Sequence, residues 1–398
     1  LLFTDNISKL ERTLKVGVQG LGQLGMEFLK SAANNPEISE FIINNRDGVT
    51  GDGYTPRAIN VCNVLKSSTD AKVRIGSKSY IAENADVIFM MADASGAGWR
   101  GRISSSKGPD RNDLLNNNIE SAILDSKIIG TYGKAGQLIV VCTNPIDIIS
   151  YYVHSGISQY RSVAGRETDC HVVGANQMDT DRFQLILAGY LKDRDNIEVR
   201  SVYPGILGSH DEHMFLLPSL MKVEIKSKGG WVEKTLDSLL EKEEIGDILL
   251  RTKKYPMVLR RTIGNWSWDA GSSVGNILTK IREGIPVHLS VPFAYRDNLV
   301  YMSLPNDFDG LRPVIKKDFL EELVLPKRRK SQTNMVFFEK VQRLERQFDY
   351  LTSRHRELNA DKKTRSISKY PKFFKELVIP SLRDKQHYLH FFDYTFNG

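Results

Sequence analysis

"LKVGVQGLGQLGMEFLKSAANN", residues 14–35, is the stretch whose reading decides the fold. It begins as a short apolar strand, turns through glycines and continues as a helix carrying Met26, Phe28 and Leu29. Gly20, Gly22 and Gly25, with Gln23 and Leu24 before the last of them, spell G-x-G-x-x-G at the junction of strand and helix. There the first glycine makes the turn and the second lets the backbone approach a pyrophosphate. The third permits close helix–strand packing, and the helix N-terminus faces the negative charge. The plainer alternative is a glycine-rich turn in an α/β protein that holds nothing.

Working outward, apolar runs at 41–45, 85–92 and 137–144 predict further strands, and 110–129 predicts a helix with an acidic first turn. Strands alternating with helices imply a doubly wound parallel sheet of Rossmann type, covered on both faces. After about residue 170 the pattern changes. Residues 179–191 and 231–250 read as helices, and 287–293 and 299–305 as strands. We therefore expect a dinucleotide-binding domain over 12–170 and a mixed α+β substrate domain over 171–330. Beyond the linker "PKRRKSQ" we expect a basic helical extension over 331–398. In it Phe337, Val341, Leu344, Phe348, Leu351 and Leu358 form one apolar stripe, which either packs on its own domain or meets a partner helix.

Of 398 residues, 41% are hydrophobic and 26% charged, the balance of a soluble globular protein. No apolar run approaches the roughly 20 residues of a membrane helix, so no membrane insertion is expected. Cys62, Cys142 and Cys170 lie too far apart in the chain to suggest a disulfide framework or a metal knuckle. That fits a reducing compartment, cytoplasm or organellar matrix, rather than secretion; the chain starts at Leu1, so a removed targeting segment stays an open alternative. From Lys327 onward 17 Lys and Arg face 8 Asp and Glu, whereas the preceding residues carry 38 against 40. The excess positive charge sits on the tail and suits an acidic protein or assembly partner.

The second strand lacks the acid that usually grips the ribose hydroxyls about 20 residues past the glycines. Asn44 stands there, followed by Asn45 and Arg46. Without a carboxylate a 2′-phosphate is not repelled, and Arg46 can pair with it. Either NAD(H) or NADP(H) is therefore expected as cofactor. In the alternative Arg46 is a solvated charge and Asn44 bonds the ribose.

"GSHDEHMF" (208–215) places His210 and His213 three residues apart beside Asp211 and Glu212. That spacing suits a zinc ion, or a single base held by a carboxylate elsewhere. Four segments in order weigh on the choice: "DRNDLLNNN" (110–118), "CTNPIDIIS" (142–150), "VVGANQMDTDRF" (172–183) and "ILGSHDEHMFLLP" (206–218). Together with the glycine turn, over roughly residues 14–330, they resemble the signature segments of the lactate/malate dehydrogenase family. The resemblance implies hydride transfer between a nicotinamide and a small 2-hydroxy or 2-oxo acid, with no metal. It implies His210 as the base, oriented by Asp179, and Arg182 as the clamp on the substrate carboxylate. Arg111 matches the loop arginine that polarises the reacting carbonyl, and Asn144 the asparagine beside nicotinamide and substrate. His213 is left as a packing or surface residue. In the bland alternatives, Asp179–Arg182 is a helical ion pair and Arg111 a first-turn surface charge.

Departures from the family bear on the substrate. The loop 93–110 is long, and Arg100 or Arg102 is a candidate for the second arginine that selects a dicarboxylate, putting malate ahead of lactate. Trp266 stands where the family has a small residue, and Asp211 where a glycine is common after the base. The family implies a homo-oligomer. The rival expectation is a catalytically retired or moonlighting homologue, serving as a structural subunit through its basic extension.

Overall fold

Residues 14–35 fold as their pattern demands, into β1 (Leu14–Gln19), a glycine turn and α1 (Gln23–Ala32). The computed structural model describes residues 13–45, 55–92, 111–166, 170–263, 267–295, 298–324 and 332–361. The chain continues through β2 (Ile38–Asn44), α2 (Pro56–Lys66), β3 (Lys72–Ile75), α3 (Lys78–Asn84) and β4 (Val87–Met90). Then come α4 (Arg111–Tyr132), β5 (Gln137–Val141), α5 (Ile146–Val163) and β6 (Cys170–Gly174). These strands are parallel, in the order β3-β2-β1-β4-β5-β6. β1 lies between β2 and β4, so the order reverses there and opens a crevice at the strands' carboxyl ends. β4 and β5 are buried at every residue because helices cover both faces.

The sheet does not stop at β6. β10 (Val287–Tyr295), β11 (Asn298–Asp309) and β12 (Arg312–Ile315) run antiparallel and join it where Ser290 pairs with Gly174, making nine strands among the described residues. A Cβ at Gly174 would sit 2.4 Å from the Ile146 side chain and 2.7 Å from that of Ser290. Only glycine lets the strands meet there. The expected domain boundary after residue 170 therefore falls within β6, a strand of the parallel sheet.

A smaller sheet of β7 (Val199–Tyr203), β8 (Lys222–Ser227) and β9 (Gly230–Thr235) packs with α6 (Gln177–Asp195), α7 (Leu236–Leu239) and α8 (Lys242–Ile263) over a separate apolar cluster. The helix expected over 231–250 is corrected at its start: residues 230–235 form a strand. Ser227 pairs with Gly230 across a two-residue turn, and Gly230 takes φ +122°, a conformation glycine adopts freely. Cross-strand pairing to β8 overrides the local helical pattern.

α9 (Trp268–Gly275) lies against α1, with α10 (Ile277–Glu283) following. Added Cβ atoms at Gly271 and Gly275 would meet Glu27 at 2.3 Å and Ser31 at 2.7 Å, so two glycines one turn apart permit the contact. α11 (Lys317–Val324) leads to α12 (Gln332–Asp361). Phe337, Val341 and Leu344 of α12 are buried in the main core, and Phe337 meets Phe215, Phe293 and Phe319 edge-on. Of the two expectations for this stripe, packing on its own domain holds for those three; the Leu351 and Leu358 side chains lie outside the described residues. No helix among the described residues is long and apolar enough to cross a membrane.

Candidate active site

The glycine turn sits at the reversal point of the sheet. Gly20 has φ +104°, and a Cβ there would lie 2.6 Å from the backbone nitrogen of Ala92, at the end of β4. A Cβ on Gly25 would sit 2.1 Å from the Gly20 carbonyl oxygen, so the first turn of α1 rides directly on the loop. Gly22 faces open space, and no side chain caps α1. Its first amides are therefore available to an anion, and the backbone can be approached as a pyrophosphate requires. Gln23 is exposed at the helix start, while Leu24 packs half-buried against the core. These residues fit a dinucleotide.

At the end of β2 the two asparagines divide. Asn44 is buried and donates from Nδ2 to the Gly76 carbonyl at 2.8 Å, an interior contact that ties β2 to the end of β3. Asn45 reaches the glycine turn instead: its Oδ1 accepts from the Leu21 amide at 3.3 Å and its Nδ2 donates to Thr55 Oγ1. The strand's alternation sends neighbouring side chains to opposite faces, so the residue beside the cleft is one later than expected. Arg46, Arg100, Arg102 and Trp266 lie outside the described residues, as does the Arg111 side chain at the head of α4.

α6 and the loop after β7 bring the acid–base pair together. His210 Nδ1 stands 2.7 Å from Asp179 Oδ2, with the Asp179 side chain 2% and the His210 side chain 15% exposed. An ionised carboxylate can only accept, so Nδ1 carries the proton and Nε2 is left as a proton acceptor. Asp179 Oδ1 lies 3.5 Å from Arg182 Nη1, one turn along the same helix. The Arg182 fork is filled from elsewhere: Nε and Nη2 donate to Asp269 of α9 at 2.5 and 3.2 Å.

Asp147, in the first turn of α5, was missed by sequence reasoning although it stands inside a quoted segment. It is 2% exposed and its carboxylate accepts from the His210 amide at 2.9 Å, Ser290 Oγ at 2.7 Å and Asn176 Nδ2 at 3.3 Å. It thus ties the histidine loop to α5, to the end of β6 and to β10. The available signal was an acid two residues after Asn-Pro in an otherwise apolar helix start. Asn144 is half-buried, and its carbonyl accepts from Asn118 of α4, fixing the end of β5.

The second histidine keeps different company. His213 pairs with exposed Glu212 at 3.6 Å. Asp211 turns away from the imidazole: it accepts from Ser209 Oγ, from the His213 amide at 2.6 Å and from Gln347 of α12 at 2.9 Å. No group of three or more His, Cys, Asp or Glu is arranged for a metal among the described residues.

No protein-family model matches the chain. The malate dehydrogenase of Oceanobacillus iheyensis is 26% identical over 266 residues, 64% of this chain and 74% of that protein. The malate dehydrogenase of Bacillus pumilus is 28% identical over 231 residues, 55% and 67% of the two chains. Among solved structures, the minor L-lactate dehydrogenase of Enterococcus mundtii superposes with a TM-score of 0.62 at 19% identity, over 85% of this chain and 98% of that one. The last likeness is one of fold.

Proposed function

We propose that this chain belongs to the lactate/malate dehydrogenase family, a reading its relatives support, and that it moves a hydride between a nicotinamide dinucleotide and a small 2-hydroxy acid. Malate with oxaloacetate comes first and lactate with pyruvate second. The observation that carries this reading is the His210–Asp179 pair at 2.7 Å, a buried carboxylate orienting an imidazole, the side chain suited to exchanging a proton near neutral pH. The dinucleotide, when bound, supplies the hydride acceptor or donor. Gly20, Gly22 and Gly25 would hold its pyrophosphate with the amides that open α1, and Asn45 would meet its ribose edge.

His210 Nε2 takes the hydroxyl proton during oxidation and returns it during reduction. Asp179 fixes the tautomer that makes this possible and stabilises the imidazolium that forms, the role a carboxylate plays behind the histidine of hydrolytic triads. Arg182 is the cation suited to the substrate carboxylate, since a planar guanidinium grips it through two hydrogen bonds. Arg111, Asn144 and Arg102 are assigned to the reacting carbonyl, the nicotinamide side and the second carboxylate respectively. Neither Asn44 nor Asn45 carries a charge that repels a 2′-phosphate, so NADH and NADPH both serve. The substrate domain is assigned to 171–330, and the enzyme acts as a homo-oligomer.

The test is an absorbance assay of oxaloacetate and of pyruvate, each with NADH and with NADPH. Turnover with oxaloacetate is expected; silence in all four combinations would overturn the reading. One observation favours a second reading, a retired homologue used as a subunit of an assembly. Asp269 already occupies the Arg182 fork.

A further inference from the structure

Arg182 is 4% exposed, and every guanidinium nitrogen has a carboxylate oxygen beside it. Asp269 takes Nε and Nη2, and Asp179 stands 3.5 Å from Nη1. Two carboxylates thus face one guanidinium. An incoming organic acid meets a guanidinium that is already paired, the opposite of what an anion site needs.

The two carboxylates are not equally bound. Asp179 is 2% exposed and committed to His210. Asp269 is 15% exposed and stands in the first turn of α9, where the helix dipole favours an anion with or without Arg182. Asp269 is the partner that can leave. Its two oxygens meet Nε and Nη2 as those of a substrate carboxylate would.

From this geometry we infer that Asp269 is an internal stand-in for the substrate carboxylate, closing the Arg182 fork until a small organic acid displaces it. The inference rests on the reading of Arg182 as a carboxylate-binding residue. It makes Asp269 a specificity-determining residue: monocarboxylates that offer only one contact do not open the pair, whereas acids with a second anchoring group do. A simple structural ion pair predicts the reverse, because removing Asp269 would then damage the site without improving binding.

Calorimetric titration of the nucleotide-free full chain with oxalate tests it, with sulfate at matched ionic strength as control. Asp269→Ala and Asp269→Asn should each bind oxalate at least about ten-fold more tightly than the wild type, and Arg182→Leu added to either should abolish the gain. Asp269→Asn keeps the packing should the alanine variant fold poorly. Acetate should raise the melting temperature of Asp269→Ala more than that of the wild type, by filling the vacated fork. If turnover is measurable, Asp269→Asn should lower KM for oxaloacetate by a larger factor than it changes kcat. Oxalate binding that is unchanged or weakened in both variants overturns the inference, as does a gain that survives loss of Arg182. Nucleotide binding is scored separately by NADH fluorescence, so its failure would strike the dehydrogenase reading and leave the oxalate comparison standing.

Discussion

His210 and His213 stand three residues apart, yet only His210 meets a buried carboxylate. His210→Ala should therefore cost on the order of 10²–10⁴ in turnover. His213→Ala should leave turnover almost unchanged, and comparable losses from the two in a steady-state assay would contradict the assignment. Asp147→Ala should also be damaging, for another reason. It strands three donors that now share one buried acceptor, a destabilisation of about 3 kcal/mol measurable by urea unfolding. The imidazole and its aspartate were legible from the segments that carry them. Asp147 and Asp269 were not, because their partners are separated from them by tens of residues of chain, and only the folded sheet and the packing of α9 against α6 bring them together. Asn44 was misplaced by one position because a strand end is hard to fix to the residue, and one step flips a side chain to the other face.

Among elements, the glycine turn and α12 lend themselves to clean tests. A methyl on Gly25 would press on the Gly20 carbonyl, so Gly25→Ala should push α1 off the loop. Dinucleotide binding should weaken at least about ten-fold while the rest of the fold persists; unchanged NADH affinity would refute the cradle. Phe337 is fully buried among four other aromatic rings, its neighbour Phe338 included, and its replacement by alanine should cost about 3–5 kcal/mol in chemical denaturation. So large a loss would show that α12 is part of the body rather than an appendage. Its apolar spacing was readable, but the face it would cover was not, because an amphipathic stripe does not name its acceptor. The parallel half of the sheet was similarly readable from alternating strands and helices. The β8–β9 hairpin was hidden by a sequence whose helical pattern outweighed a two-residue turn.

For the molecule as a whole, two interior histidines make the fold sensitive to acid. Burial, with Lys280 adding to it, lowers His288 to about 3, and burial with His171 lowers His154 to about 4. His288 Nε2 accepts from the Gly205 amide at 2.8 Å, and His154 meets the Tyr301 hydroxyl at 2.6 Å. Both rings are neutral in the fold, whereas in the unfolded chain they take up protons below about pH 6.5. Their contribution is thus whole above that value and is lost as pH falls toward 4 and then 3, on the order of several kcal/mol in all. Urea midpoints should drop steeply over that window, and a flat profile would contradict it. The contact of Gly174 with Ser290 adds a mechanical consequence. Among the described residues a single ladder pair stitches the hairpin of β10 and β11 to the parallel strands, and the Asp147 carboxylate fastens the same stitch to the His210 loop. Heat should melt both halves in a single calorimetric peak, and a bulky residue at 174 should split that peak in two.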